Sequence, residues 1–317
     1  MFDSVRLLME RLIDYAGLFP PARLSMDEAV HHYRRYSRDP DSWMLGRFIV
    51  PAARLEELVP YRALFTVERA LQLSVIGAGS GDGRECLTQL ARCLTQIRAF
   101  ERRFGAAAAV ASIELPLPQA AIGAELLEAI ANDTAAHGLR AYCEMTYVRD
   151  AGWAHNLISA LDRVAACNAD REAKLGVKLR TGGVAADAFP TPDQAAFVLA
   201  ACRDREIALK FTAGLHHPVR MFRPEANAKM HGFLNVFAAG MLARAHALDL
   251  PGIAEILADE DPEHFRFSAE GLRWKQLFVS SAEMGEYRAS ALIAYGSCSF
   301  DEPRDELRAL GLLGQRS

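Results

Sequence analysis

Residues 176–182, GVKLRTG, and 208–214, ALKFTAG, are two short apolar runs, each with a lysine at its centre and a glycine at its end. Successive side chains of a strand point to opposite faces, so if Val177 and Leu179 meet a helix layer, Lys178 and Arg180 point the other way. The same alternation turns Lys210 and Thr212 away from the helices in the second run. An ammonium is costly to bury without compensation, and two of them inside neighbouring apolar strands require anions, water or function. About thirty residues separate the runs, the interval expected of successive strand–helix units.

The same interval recurs outward from this pair. Strands are expected at Leu12–Leu18, Arg47–Val50, Leu73–Ile76, Ala109–Glu114, Arg140–Thr146, Gly176–Arg180, Ala208–Thr212 and Gly232–Phe237, eight in all. The first and last have a second reading, Leu12–Leu18 as the end of a helix and HGFLNVFAAGMLARAHAL as helical throughout. Between strands, Cys86–Phe100 places Leu87, Leu90, Leu94, Ile97 and Phe100 near one helical face, and Gln194–Cys202 repeats the pattern. Turn-forming loops (GLFPPA, GAGSGDG, LPLP, RTGG, AGLHHP) follow several strand ends. The expected fold is α/β, a (β/α)8 TIM barrel over residues 1–250. Residues 251–317 are expected as a C-terminal extension packed on it, with a hairpin at HFRFSAEGLRWKQ, a helix near Ser281–Ile293 and the loop GSCSFDEP. GAGSGDG has neither GxGxxG spacing nor GK[ST], so it reads as a structural loop and not as a dinucleotide site.

The 317 residues include 51% hydrophobic and 24% charged residues and carry a formal net charge of −4, which gives no global attraction for nucleic acid or an anionic membrane. A small-molecule substrate is the natural partner, and a homo-oligomer is left open. Six cysteines, none in a CxxC pair, fall mostly in apolar segments and read as reduced thiols of a cytoplasmic protein. Asp3, Glu10 and Asp14 interrupt the N-terminal apolar residues, against a signal peptide, and no stretch approaches the roughly 18 apolar residues of a membrane span.

Adjacent ammonium groups raise the cost of keeping both charged, which frees one amine to attack a carbonyl as a Schiff-base nucleophile. The alternative is that both lysines stay protonated and bind a phosphate or carboxylate, with Arg180 completing the clamp. The segments KLRTG (178–182) and KFTAG (210–214) resemble the two lysine strands of class I aldolases of the deoxyribose-phosphate aldolase type. The resemblance implies a cofactor-independent lyase, with Lys178 forming the imine and Lys210 tuning it. The whole chain also looks like a barrel family spread through bacteria and plants, which implies the fold and no particular activity.

Glu114 and Glu144 end the fourth and fifth expected strands, where they serve either as acid and base beside the lysines or as the anions of a buried ion network. His216, His217 and His231 converge, on this reading, at one mouth of the barrel, where they bind substrate. A divalent metal held by these three histidines with a glutamate is the alternative to working without a cofactor. Asp14 and Asn235 are substrate-binding candidates by position, with turn capping and satisfaction of buried backbone groups as their structural alternatives. Tyr15 has packing as its alternative role, Cys298 lacks a local partner pattern, and His31 and His32 belong to a solvated helix. The leading expectation is therefore a lyase acting on a small oxygenated or phosphorylated carbonyl compound. A metal-dependent hydrolase, isomerase or lyase and a non-enzymatic anion-binding barrel are the alternatives.

Overall fold

Parallel strands covered on both faces need near-continuous apolar runs, and the chain supplies eight. A computed structural model describes residues 2–119, 122–183, 185–224 and 226–314. The strands are β1 (Ile13–Tyr15), β2 (Leu45–Pro51), β3 (Leu71–Ile76), β4 (Ala108–Pro116), β5 (Arg140–Glu144), β6 (Gly176–Arg180), β7 (Leu209–Thr212) and β8 (Leu292–Ser297). They form a closed parallel barrel in the order β1-β8-β7-β6-β5-β4-β3-β2. Contacts divide the chain into two compact units, one of residues 24–42 and 47–179 and the other of residues 1–23, 43–46 and 180–317.

In the first unit β3, β4 and β5 pair in parallel, with Ser74 opposite Ser112 and Glu114 opposite Tyr142. The helix Gly83–Phe104 buries Leu90, Leu94, Ile97 and Phe100 along one stripe, each such side chain contributing roughly 2 kcal/mol. The glycine-rich loop before it works as a cap: Asp82 accepts from the Glu85 amide at 2.8 Å, and the Gly81 amide donates to the Glu85 carboxylate at 2.6 Å.

In the second unit β8 lies between β1 and β7, with Tyr295 paired to Ile13 on one side and to Phe211 on the other. Phe211 and Tyr295 both pack on Phe237, and Tyr295 stacks on Phe233 at 5.3 Å, so this face of the sheet is covered by the helix Phe233–Ala245. Strand alternation puts Asp14, Lys210 and Gly296 on the opposite face.

Two expectations are corrected here. Gly232–Phe237 is not a strand: Phe233 opens the helix Phe233–Ala245, in which every residue from Phe233 to Ala243 is buried. Such a helix has no polar face, so its apolar run lacks the helical period that would distinguish it from a buried strand. The eighth strand is instead Leu292–Ser297, inside the segment 251–317 expected as an extension, because the helix that precedes it ends at Ser290. The barrel therefore does not finish at residue 250, although the last three residues of that segment lie outside the described ones. Between β7 and β8 the chain inserts a two-stranded hairpin (Met221–Arg223, Ala228–Met230), two helices, a three-stranded antiparallel sheet and the helix Ser281–Ser290. The hairpin expected at HFRFSAEGLRWKQ forms the first two strands of that sheet.

The Thr-Gly and Ala-Gly pairs that follow the two lysine strands clasp one another. The Thr181 hydroxyl donates to the Ala213 carbonyl at 2.5 Å and the Thr181 amide to the Thr212 carbonyl at 2.9 Å. Gly214 has φ +77°, and a Cβ on it would stand 2.9 Å from Gly182 Cα and 3.0 Å from the Thr181 carbonyl. Gly214→Ala therefore meets both a left-handed backbone and a contact with main chain that cannot swing aside. Urea unfolding of this variant should show a loss of roughly 2 kcal/mol or more.

Candidate active site

The polar residues of β3, β4, β5 and β6 assemble around Lys178. Glu144 is the direct cross-strand partner of Lys178, and Glu114 lies one strand further on. The Lys178 ammonium sits 2.8 Å from Glu114 Oε2 and 2.7 Å from Glu144 Oε2. The Ser74 hydroxyl donates to the other Glu114 oxygen at 2.6 Å, and the Ser112 hydroxyl lies 2.8 Å from that of Ser74. All five residues are buried, Lys178 at 2% exposure and Glu144 at 6%. Charge-assisted bonds of this length fix the amine in place. They also give it two carboxylates within direct proton-transfer distance, one of them accepting from the Ser74 hydroxyl. Ser74 and Ser112 escaped the sequence reading, although each stands as a lone polar residue inside an apolar strand, LQLSVI and AAVASIELP.

Lys210 has its own counter-ion. Its Nζ lies 2.7 Å from Asp14 Oδ2, and both residues are fully buried. They stand on β7 and β1, two strands apart, and reach each other across β8, while Gly46 leaves room beside Asp14, whose carboxylate a Cβ at that position would strike. Asp14, expected to cap a turn or bind substrate, is thus placed as the partner of Lys210. Tyr15 is buried beside it on β1. Thr212, half-buried at the end of β7, accepts the Thr181 amide through its carbonyl, and Arg180 is exposed at the end of β6.

The three histidines do not gather into one set. His231 follows the inserted hairpin rather than beginning a strand, and its ring is fully buried with Nε2 2.8 Å from the Pro190 carbonyl and Nδ1 3.3 Å from the Arg220 guanidinium. Burial, with the Arg220 charge adding to it, pushes the imidazole down to about 4. His216 and His217 lie instead beside the helix Asp301–Ala309. His217 Nδ1 is 2.7 Å from Glu306 Oε1, and His216 Nδ1 is 3.4 Å from Glu302 Oε2 and 3.8 Å from Cys298 Sγ. Burial alone lowers the His216 pKa, but its bonds to Cys298 and Glu302 outweigh burial and raise it to about 9. The metal set of His216, His217 and His231 is therefore not assembled. Among the described residues the group with metal-ligand geometry is His217, Glu302 and Glu306. Cys298, for which the sequence offers no local partner pattern, lies beside His216, which reaches it from the loop after β7.

Asn235 also leaves the site. It sits in the first turn of the helix Phe233–Ala245, accepts from the Arg220 amide and donates to the Ile256 and Asp259 carbonyls, each at 2.8 Å. Its amide is committed to buried backbone, the structural alternative weighed for it. Burial pushes the Cys143 and Cys202 thiols up to about 12, so these cysteines are inert packing groups. No helix among the described residues is long and apolar enough to cross a membrane.

No family model and no curated protein matches the chain. Among solved structures, a monomeric variant of dihydrodipicolinate synthase is similar over 79% of this chain and 79% of its own, at 13% identity and a TM-score of 0.39.

Two outcomes follow from this geometry. Lys210→Met leaves the Asp14 carboxylate buried opposite a methyl group and should cost about 3–5 kcal/mol in urea unfolding, with the Asp14→Asn/Lys210→Met double variant losing less than the sum of the single changes. His231 has a folded-state pKa below the ordinary value of 6.5, so the folded protein binds fewer protons than the unfolded chain through that interval. Its neutral-state stabilisation is complete above about pH 6.5 and is lost as pH falls toward 4, by roughly 3 kcal/mol in all. His231→Gln should flatten that part of the stability–pH curve.

Proposed function

We propose that this chain is an enzyme of the lyase or aldolase kind that holds a small carbonyl substrate as an imine on Lys178. The observation that carries the reading is the Lys178 amine held at 2.8 and 2.7 Å by two buried carboxylates, Glu114 and Glu144. An amine attacks a carbonyl only after giving up a proton, and each carboxylate is placed to receive it. The carbinolamine formed by that attack must then lose water, which requires the proton to return to the departing hydroxyl. A carboxylate already in contact with the nitrogen can make both transfers, as general base and then as general acid. The same pair can next move protons between imine and enamine, the interconversion that makes or breaks a carbon–carbon bond.

Ser74 and Ser112 differentiate the two acids. Glu114 accepts from Ser74, which with Ser112 forms a short hydroxyl chain, and this fixes its carboxylate. Glu144, at the end of β5 and slightly exposed, is the member placed to exchange protons with substrate. The tuning role that the aldolase resemblance assigns to Lys210 is not required, because the proton acceptors already touch Lys178. Arg180, exposed at the end of its strand, is the group we assign to an anionic substituent of the substrate.

Incubation with small aldehydes and ketones, including glyceraldehyde 3-phosphate and pyruvate, followed by borohydride should add the mass of a reduced imine to the peptide containing Lys178. Lys178→Ala should abolish the adduct, and Glu144→Gln should slow its formation by about 10²-fold or more. A reduced adduct on Lys210 or on surface lysines with none on Lys178 would overturn the assignment. Tight anion binding with no adduct would favour the non-enzymatic reading.

A further inference from the structure

The loop after β7 and the helix after β8 bring together groups that the lysine chemistry does not use. His217 is buried at 2% exposure, and its ring nitrogen contacts Glu306. Glu302 and Glu306 stand one turn apart on the helix Asp301–Ala309, and therefore on one face of it. One nitrogen of His217 and one oxygen from each glutamate all lie within 4.8 Å of one another. Two carboxylates at this helical spacing repel each other, a cost that His216 beside Glu302 offsets in part and a shared cation would remove. Both glutamates remain about one-third exposed, so the cluster is open to solvent on one side.

A second observation points to a ligand independently. Tyr295 is fully buried, its hydroxyl has no hydrogen-bond partner, and it lies within electrostatic reach of both Glu302 and Glu306. Buried hydroxyls are ordinarily satisfied by protein or by ordered water. A water carried on an ion between the two glutamates would supply the missing partner.

We propose that His217, Glu302 and Glu306 form a binding site for one divalent transition-metal cation of the zinc or manganese class. One imidazole nitrogen and two carboxylate oxygens are the donors such ions take, and two negative charges balance the ion. Ligand bonds of about 2.0–2.2 Å bring donor atoms within roughly 4 Å of one another, so the partly exposed glutamates need only close in slightly. His216, 3.4 Å from Glu302, helps to hold that carboxylate, while Cys298 contacts His216 and stays outside the ligand set. Such an ion would tie the loop after β7 to the helix after β8. This site does not rest on the imine reading of Lys178, and its test reads metal uptake alone.

Chelator-stripped full-length protein, titrated calorimetrically with zinc chloride and separately with manganese chloride, should take up one ion per chain. Glu302→Gln/Glu306→Gln keeps the size and helical character of both side chains and should weaken uptake by about 100-fold or more, while Cys298→Ser should change it by less than about twofold. The melting midpoint should rise with added ion in the natural protein and not in the double variant. His217→Gln should abolish uptake as well and replaces the double variant if that does not fold. Absence of uptake of either ion by the natural protein would overturn the proposal, as would uptake that ignores the glutamate and histidine substitutions or that disappears with Cys298→Ser.

Discussion

Burying an ammonium costs on the order of several kcal/mol unless an anion is buried with it, and this chain buries two, on consecutive strands. Each is matched locally: Lys178 by the carboxylates of the two strands preceding its own, Lys210 by the aspartate of the first strand. Much of the sheet's composition follows from that requirement. Ser74 interrupts an apolar strand to donate to Glu114, Ser112 interrupts the next to bond Ser74, and Gly46 leaves room for the Asp14 carboxylate that meets Lys210. The lysine strands also end alike for a steric reason, since Gly182 and Gly214 lie against each other and Thr181 bonds to the opposite loop.

The parts of this arrangement that were legible in the sequence are those governed by local alternation. A lysine at the centre of GVKLR must lie on one face of a strand, and an acid at the end of a neighbouring apolar run faces the same way if the strands are parallel. Lys178, Glu114 and Glu144 were accessible on that basis, and so were the strands that carry them. The pairing of Lys210 with Asp14 was not, because it depends on which strand lies between β7 and β1. That strand was misplaced: an entirely buried helix, FLNVFAAGMLARA, imitates a strand, and the true β8 hides directly behind the helix Ser281–Ser290.

His231 and Asn235 show a different limit. Polar residues inside apolar segments signal either chemistry or a backbone group that needs a partner, and residue type does not separate the two. Both here serve the backbone, on Pro190 and on Arg220, Ile256 and Asp259. Glu302 and Glu306 went unnoticed for the opposite reason. Carboxylates four apart on an exposed helix are ordinary, and only the arrival of His217 from 89 residues away makes them unusual.

The place of β8 in the chain bears on how the protein is made. Ile13 pairs with Tyr295, so the first strand waits about 280 residues for its neighbour, and the intervening insertion lengthens the wait. During synthesis β1 and β7 both present bare edges until the chain beyond residue 291 has emerged. Pairing this distant in sequence folds slowly, and exposed strand edges recruit other chains in the meantime. Until that strand emerges, the nascent chain therefore carries two unpaired edges beside a core that has largely been made.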